Sequence, residues 1–414
     1  MSLKKVLLKN FRTCHEVELT DLEHLTVLMG RNGVGKTNVL QGIEWMARTA
    51  SNLQGNILES TDFKGEFEFC VAGTHYRYSI ERLFILNEDD PQSSKDFDFG
   101  LQEKLERQDS SEAWLSVLSR TEQRVSGTDG EPLLEISPLR PMLPVMEAIR
   151  PTSETKEHIL PVLAYFRGVK YYPLDETAAL QQDLSINIIT RVNYLEWLSK
   201  PNDSIIMRLL NMYLDRRDDF IELNELLGGN GLGVIDSVKF FEIVMPLPHP
   251  PQGTTETTRA LPSVALPSVY ERDWTCYFVE FMPGKGWEGV DNLPRLPYGK
   301  LSAGTRRIIR ILVSFFYDRN SLFLFEQPED AIHPGLLRKL IDLLRGYDDK
   351  GQLIMTSHSS DLFDVLKPEE VRLVTMESGA TQVRALSEKE LDSAKRYINE
   401  EGSLSDFLEM LEDY

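Results

Sequence analysis

Residues 25–40 read Leu-Thr-Val-Leu-Met-Gly-Arg-Asn-Gly-Val-Gly-Lys-Thr-Asn-Val-Leu, and this stretch constrains the fold more than any other. The mostly apolar run Leu25–Met29 has the length and content of a buried strand. Gly30-x-x-x-x-Gly35-Lys36-Thr37 follows at once, and Asn38 continues into a helical pattern with Val39, Leu40, Ile43 and Met46 apolar. Strand, glycine loop and helix in that order form the context in which a phosphate-binding loop is credible. The glycines let backbone N–H groups face inward around phosphate oxygens, and the helix N-terminus adds its dipole. Gly30, Arg31, Asn32, Gly33, Val34, Gly35, Lys36, Thr37 and Asn38 are therefore the candidate ATP-binding residues. In that reading Lys36 reaches the β- and γ-phosphates, and Thr37 places its hydroxyl on Mg²⁺.

Composition narrows the partners. The chain has 414 residues and a net charge of −20, from 45 Lys and Arg against 65 Asp and Glu. Such a balance argues against a whole surface built for sequence-independent DNA binding, though a local basic groove stays open. A hydrophobic content of 41% suffices for a proper core. No run of eighteen apolar residues exists, so no membrane span is expected. Cys14, Cys70 and Cys276 are scattered without ligand spacing, which fits a reducing compartment. The first residues alternate too much for a signal peptide, so the cytoplasm is the expected location.

Along the chain, residues 2–9 suit an edge strand and Glu16–Leu19 a second one. A polar turn is expected at Ser51–Gly55, then a hairpin of Gly65–Val71 and His75–Glu81. From Leu86 to Ser137 the sequence turns polar and punctuated, and reads as an insertion with helix around Glu112–Arg120. Pro141–Arg150 and Ser153–Phe166 read as helices, and Gly168–Pro173 as a short strand returning to the main body. Ile188–Leu198, Ser204–Tyr213 and Asp218–Leu227 form a helical block. Strands Asp236–Met245 and Trp274–Phe281 flank a Pro-, Thr- and Ser-rich loop, 246–267. The last third holds helix Thr305–Tyr317, strand Ser321–Glu326, helix Gly335–Leu344 and strand Gln352–His358. A helix opened by Ser359-Ser-Asp361 with Asp361 in its N-cap region, the hairpin Val371–Met376 with Thr381–Ala385, and an acidic helical tail complete it. The expected segments are a first part of the head at 1–85, an insertion at 86–160 and a return to the head at 161–182. A helical subdomain at 183–230, strands and a loop at 231–300, the rest of the head at 301–386 and the tail at 387–414 follow.

A phosphate-binding loop needs a second strand that ends in an acid near Mg²⁺. Glu326 follows four apolar residues, which puts it at the strand's C-terminal end, where open α/β sheets hold ligands. Thr37 and Glu326 are thus the metal candidates. The next position normally carries a base that orients the attacking water, and here it is Gln327. An amide cannot accept that proton, but it can hold ATP and the water. Gln327 is open to two readings: an exchange of Glu for Gln that traps ATP, or natural degeneracy with Glu329 taking part. His358 ends a strand one place beyond the acid; a lone histidine is more often structural, but this position suits a contact to the γ-phosphate. Ser302 and Gly304 open a helix whose N-terminus could hold a phosphate, against the plainer reading of an N-cap at Ser302.

Together these motifs resemble the ATP-binding-cassette ATPase class, in its SMC, RecF and OLD-like branch. Gly30–Thr37 is similar to Walker A; Leu301–Thr305, with Ser302, Ala303, Gly304 and Thr305, is similar to the signature motif. Leu322–Gln327 is similar to Walker B, and Glu326-Gln-Pro-Glu-Asp-Ala-Ile-His-Pro334 resembles the branch's acid-acid-Pro-Glu-x-x-Leu-His-Pro. Thr356-Ser-His358 resembles its switch histidine, and Asn10-Phe11-Arg12 ahead of an early Walker A is typical of it. The departures are Glu326 for Asp, Gln327 for the catalytic Glu and Ala303 in the signature. The likeness covers about 1–85 and 295–385 well and the middle poorly.

The resemblance implies an α/β P-loop head, a mixed sheet with flanking helices, carrying a helical and irregular insertion and no long coiled coil. It implies ATP and Mg²⁺ as cofactors and a homodimer of heads, or a higher even oligomer, with each ATP held between one copy's Walker motifs and the other's signature. Ser302 and Gly304 would then act in trans, and Asp330 would touch the opposite site. The functional expectation is an ATP-dependent switch that controls a separate effector, a nuclease in anti-phage defence. The 56 residues after His358 are too few for a Toprim nuclease, so an effector is expected on another chain or not at all. The alternatives are a DNA-repair or chromosome ATPase of RecF or SMC type, with nucleic acid as partner, and a non-hydrolysing ATP-binding scaffold. A transporter domain is disfavoured, because Walker A and the signature lie more than 260 residues apart.

Overall fold

The computed structural model describes residues 1–52, 62–85, 98–128, 130–137, 140–149, 153–174, 178–186, 188–246, 273–284, 296–318, 321–347, 350–400 and 402–411. The chain divides into two compact units, Met1–Leu174 with Asp318–Tyr414, and Asp175–Tyr317.

The first unit begins with β1 (Ser2–Phe11), β2 (Cys14–Leu19), β3 (Leu25–Met29) and helix α1 (Lys36–Ser51). Strands β4 (Lys64–Val71), β5 (Thr74–Ile85), β6 (Asp98–Gln108), β7 (Trp114–Thr121), β8 (Arg124–Ser126) and β9 (Pro132–Glu135) follow. Helices α2 (Met142–Ala148) and α3 (Ser153–Arg167) then lead to β10 (Val169–Tyr172). The second unit contains α4 (Ala178–Asp183), β11 (Ile188–Thr190), α5 (Arg191–Ser199), α6 (Ile205–Asp215), α7 (Arg217–Leu227), β12 (Ile235–Pro246), β13 (Asp273–Pro283) and α8 (Ala303–Tyr317). The chain returns to the first unit with β14 (Leu322–Glu326), α9 (Pro334–Gly346), β15 (Gln352–Ser357), α10 (Ser360–Phe363), β16 (Val371–Glu377), β17 (Ala380–Ala385), α11 (Glu388–Glu400) and α12 (Leu404–Met410). The described helices are all short, and no long coiled coil occurs among them.

Two sheets build the first unit. One has the order β10-β14-β15-β3-β16-β17 and is parallel except for β17. Its central strands β3, β14 and β15 are buried along almost their whole length, and β3 and β14 are nearly all apolar, as strands covered on both faces tend to be. The other is antiparallel, β2-β1-β4-β5-β6-β7-β8-β9. There β4 alternates strictly, with Phe67, Phe69 and Val71 buried and Glu66 and Glu68 on the opposite face. One core takes in its inner face, α1, α2, α3, and Leu322, Leu324, Ile354 and Val374 of the parallel sheet.

Four expectations need correcting. Residues 2–9 are not an edge strand: β1 is paired on both sides, with β2 and with β4. Glu112–Arg120 is not helical. Leu115 and Leu118 fit a helical spacing, but β7 pairs antiparallel with β6 and buries Val117 and Leu118. Pairing outweighs local preference here, and the turn is fixed by Asp109, whose Oδ1 accepts from Ser111 N at 2.8 Å and Ala113 N at 2.9 Å. The fully buried pair Arg120–Glu103 (2.9 Å) locks the two strands, and Tyr78 donates to the same carboxylate at 2.6 Å. The stretch 98–135 therefore extends the antiparallel sheet. Finally, Ile188–Thr190 pairs with β13 as a strand, and α5 starts only at Arg191, because Thr190 Oγ1 caps Asn193 N at 3.2 Å. Likewise Ser359, not Asp361, is the N-cap of α10. The loop 246–267, apart from Pro246, and the turn beyond Asn52 lie outside the described residues.

Gln352 joins the two sheets. It is 3% exposed, and its Nε2 donates to Leu3 O at 3.1 Å and Glu23 O at 2.8 Å, while Leu3 N donates to its Oε1 at 2.6 Å. Gln352→Leu would leave those buried backbone groups unpaired. It is expected to destabilise the protein by about 1–3 kcal/mol in a denaturant titration, against about zero for an exposed position.

Candidate functional site

The loop between β3 and α1 is held from below. Thr381 Oγ1 donates to Val34 O at 3.0 Å, Thr13 and Thr381 hydroxyls lie 2.7 Å apart, and Asn38 Nδ2 donates to Thr13 Oγ1 at 2.8 Å. Gly35 has φ +97, and a Cβ there would meet Thr381 Oγ1 at 2.0 Å, so glycine is required both by conformation and by space. Arg31, Asn32 and Gly33 form the exposed crest of the loop, and Gly30 is buried at its base.

Lys36 is 6% exposed and folds under the loop, with Nζ donating to Gly30 O at 2.6 Å and Arg31 O at 2.9 Å. Burial lowers its pKa, while Glu329 and then Glu326 oppose that shift. The carbonyls it holds belong to the loop itself, so the ammonium can exchange them for phosphate oxygens at the same place.

Glu326, at the end of β14, faces Thr37: Thr37 Oγ1 donates to Glu326 Oε1 at 2.5 Å. Its other oxygen accepts from Tyr171 OH at 2.5 Å and from Leu174 N at 3.2 Å. Burial, and next the hydrogen bond to Glu326, push the Tyr171 phenol well above its usual pKa, so it stays a donor. Tyr171 and Leu174 are not in the sequence-derived set. In the sequence Tyr171 reads only as an aromatic residue of a short returning strand, and it is the parallel register, Tyr171 opposite Leu324, that brings it to the acid.

Gln327 carries a left-handed backbone, φ +43, unusual for a residue with a side chain. Its N–H donates to Thr356 O at 3.1 Å, which fixes the turn at the end of β14 against β15. Glu329, with its side chain 8% exposed, turns back toward the tip of β15. Its Oε1 accepts from Ser357 Oγ at 2.7 Å and His358 N at 3.4 Å, and His358 Nδ1 lies 4.0 Å away. Its Oε2 is buried without a hydrogen-bond partner. His358 and Asp330 are exposed.

The first unit thus gathers Lys36, Thr37, Glu326, Gln327, Glu329 and His358 around the ends of three parallel strands. Ser302, Ala303, Gly304 and Thr305 lie in the second unit, at the start of α8. Ser302 is exposed, and its Oγ accepts from Thr305 N at 3.1 Å, an N-cap.

A hydroxyl and a carboxylate oxygen side by side are hard donors that suit Mg²⁺, an ion that keeps several waters and binds through one or two protein oxygens plus phosphates. No group of three or more His, Cys, Asp or Glu able to hold a metal alone occurs among the described residues. The pair Thr37–Glu326 fits an ion that arrives with a nucleotide. No helix among the described residues is long and apolar enough to cross a membrane.

Comparison with known proteins follows the same outline. Residues 1–124 match the family model described as "AAA ATPase domain", and residues 162–364 match "AAA domain, putative AbiEii toxin, Type IV TA system". The DNA replication and repair protein RecF of Chlorobium luteolum is 40% identical over 73 residues, 18% of this chain and 20% of that protein. RecF of Leptospira biflexa is 45% identical over 88 residues, 20% of this chain and 24% of that protein. The chain therefore spans only about a fifth to a quarter of these relatives. Among solved structures, an SmcHead bound to the C-winged helix domain of ScpA aligns at 11% identity with a TM-score of 0.46, over 94% of this chain and 99% of that one.

Proposed function

We propose that this chain, a P-loop ATPase of the SMC- and RecF-like branch of the ATP-binding-cassette class, is an ATP-dependent dimerising switch that holds its nucleotide and acts on a separate effector protein. The observation that carries the reading is the pairing of an intact cradle, Lys36, Thr37 and Glu326, with an amide, Gln327, where a proton acceptor belongs. Binding residues are present and the base is not, so ATP is retained longer than it is turned over. Lys36 and the loop N–H groups hold the phosphates, Thr37 and Glu326 the Mg²⁺, and His358 reaches the γ-phosphate. Hydrolysis, where it occurs, releases the dimer.

In this reading each nucleotide is covered by a second copy of the chain. Ser302 and Gly304 at the start of α8, in a second copy of the chain, supply that cover in trans, and Asp330 touches the neighbouring site. A defence setting is in keeping with the toxin–antitoxin system named in the family description matched by 162–364; that the effector is a nuclease is our reading of the motif resemblance alone. The three free cysteines fit the cytoplasm. A second reading, a DNA repair ATPase, is favoured by the RecF relatives. Co-purification with the proteins encoded beside it tells the two apart: a nuclease partner supports the first, and recombination proteins the second.

Size-exclusion chromatography tests the switch. With ATP and Mg²⁺ the chain is expected to elute as a dimer, and without them as a monomer. Ser302→Arg is expected to remain monomeric in ATP while ATP still raises its melting temperature. An oligomeric state that ignores ATP would sink the idea.

A further inference from the structure

Glu326 has one methylene more than the aspartate usual at this place, and so one more torsion to fix before an oxygen points at a cation. The structure fixes it by dividing the carboxylate. Oε2 is committed to Tyr171 OH at 2.5 Å and to Leu174 N at 3.2 Å, and Oε1 is left to face Thr37 at 2.5 Å. The phenol is itself held: Gln41 Nε2 donates to Tyr171 OH at 3.3 Å, and Arg12 donates to Gln41 Oε1 and, at 3.4 Å, to Asn38 Oδ1. Gln41 stands one turn beyond Thr37 on α1. The helix that carries the metal-facing hydroxyl therefore also aims the tyrosine that aims the acid.

We propose that Tyr171 is a positioning residue for the divalent cation, orienting Glu326 so that Oε1 alone is presented beside Thr37. The proposal rests on the reading of this cradle as a Mg²⁺–nucleotide site. Its basis is the strength and direction of the bond. A phenol donating to a carboxylate at 2.5 Å is a charge-assisted hydrogen bond, roughly twice as strong as a neutral one. Such outer partners of a metal-binding carboxylate set its orientation, and their loss weakens metal binding by about 10–100-fold. In the proposal Tyr171 acts through Glu326, to which its hydroxyl is hydrogen-bonded. Leu174 N, at 3.2 Å, is the weaker of the two donors and cannot by itself fix the plane of the carboxylate.

The test is equilibrium binding of a fluorescent ATP analogue to the full chain, started in EDTA and titrated with Mg²⁺. In the wild type, Mg²⁺ strengthens binding. Tyr171→Phe keeps the ring and removes the donor. It is expected to need about 10–100-fold more Mg²⁺ for half of the gain, with affinity in EDTA unchanged within about twofold. Its nucleotide-free melting temperature is expected to stay close to that of the wild type. An unchanged Mg²⁺ midpoint overturns the proposal, and so does an equal loss of affinity in EDTA, which would mean that the residue only supports the loop. A wild type that binds no nucleotide overturns the site reading itself, and the proposal with it.

Discussion

Lys36→Ala is expected to weaken ATP binding by about 10–100-fold, the scale of losing a charge-assisted hydrogen bond worth about 1.5–3 kcal/mol. The lysine is the cation beneath the loop, 6% exposed, and it rests on Gly30 O and Arg31 O. Its burial disfavours the charged form, and the nearby carboxylates Glu329 and Glu326 only partly offset this. The ammonium is therefore kept at a cost in the nucleotide-free protein, and triphosphate relieves that cost by supplying several negative oxygens. The readout is thermal stability. At a ligand concentration 100 times its Kd the wild type gains about 2.7 kcal/mol, whereas a variant with a 100-fold weaker site gains only about 0.4 kcal/mol at the same concentration. The nucleotide-free variant should melt close to the wild type, because two hydrogen bonds are lost while a desolvated charge is removed. A melting temperature that still rises with ATP and Mg²⁺ as in the wild type would rule out this lysine as the phosphate contact.

What could be seen in the sequence follows from how many neighbours each residue needs before its state is decided. Leu25–Met29, apolar but for Thr26, and Leu322–Phe325 are apolar because both faces are covered, and such runs show in one dimension. The glycine loop shows for a similar reason: at Gly35 a local backbone angle and a lack of room select the residue type. The antiparallel sheet is harder. Leu115 and Leu118 suit a helix as well as a strand, and the decision falls to β6, whose Glu103 pairs with Arg120 out of reach of water. Residues 2–9 alternate too weakly to show that both edges of β1 are used. In the site, Thr37 and Glu326 are readable from motif spacing. Tyr171 is not, since its partner lies 155 positions away and is chosen by strand order, β10 beside β14. Glu329 is intermediate: its place in the motif is visible, but its grip on Ser357 and on the His358 backbone depends on β15 lying next to β14.

Gln327→Glu is expected to raise the rate of phosphate release by about 10²–10⁴-fold, the usual contribution of a positioned general base. The backbone is already set for such a group. Gln327 holds φ +43, and its N–H is tied to Thr356 O at 3.1 Å, so exchanging amide for carboxylate changes the chemistry of the side chain without moving its root. An amide can accept a hydrogen bond from water but cannot take its proton; a carboxylate does both. The same exchange should shorten the lifetime of the ATP-bound dimer, measured as the decay of the dimer peak after excess nucleotide is removed. Glu329→Gln separates the competing account. With Oε1 occupied by Ser357 Oγ and His358 N, Glu329 is bound into the support of the histidine loop. Its replacement should then reduce turnover in the wild-type and Gln327→Glu backgrounds by a similar factor. If Gln327→Glu gives no gain and Glu329→Gln alone abolishes the residual rate, the catalytic carboxylate is Glu329. Its buried, unpartnered Oε2 would then be the proton acceptor, and Gln327 would be a natural feature of a slow ATPase and not the cause of its slowness.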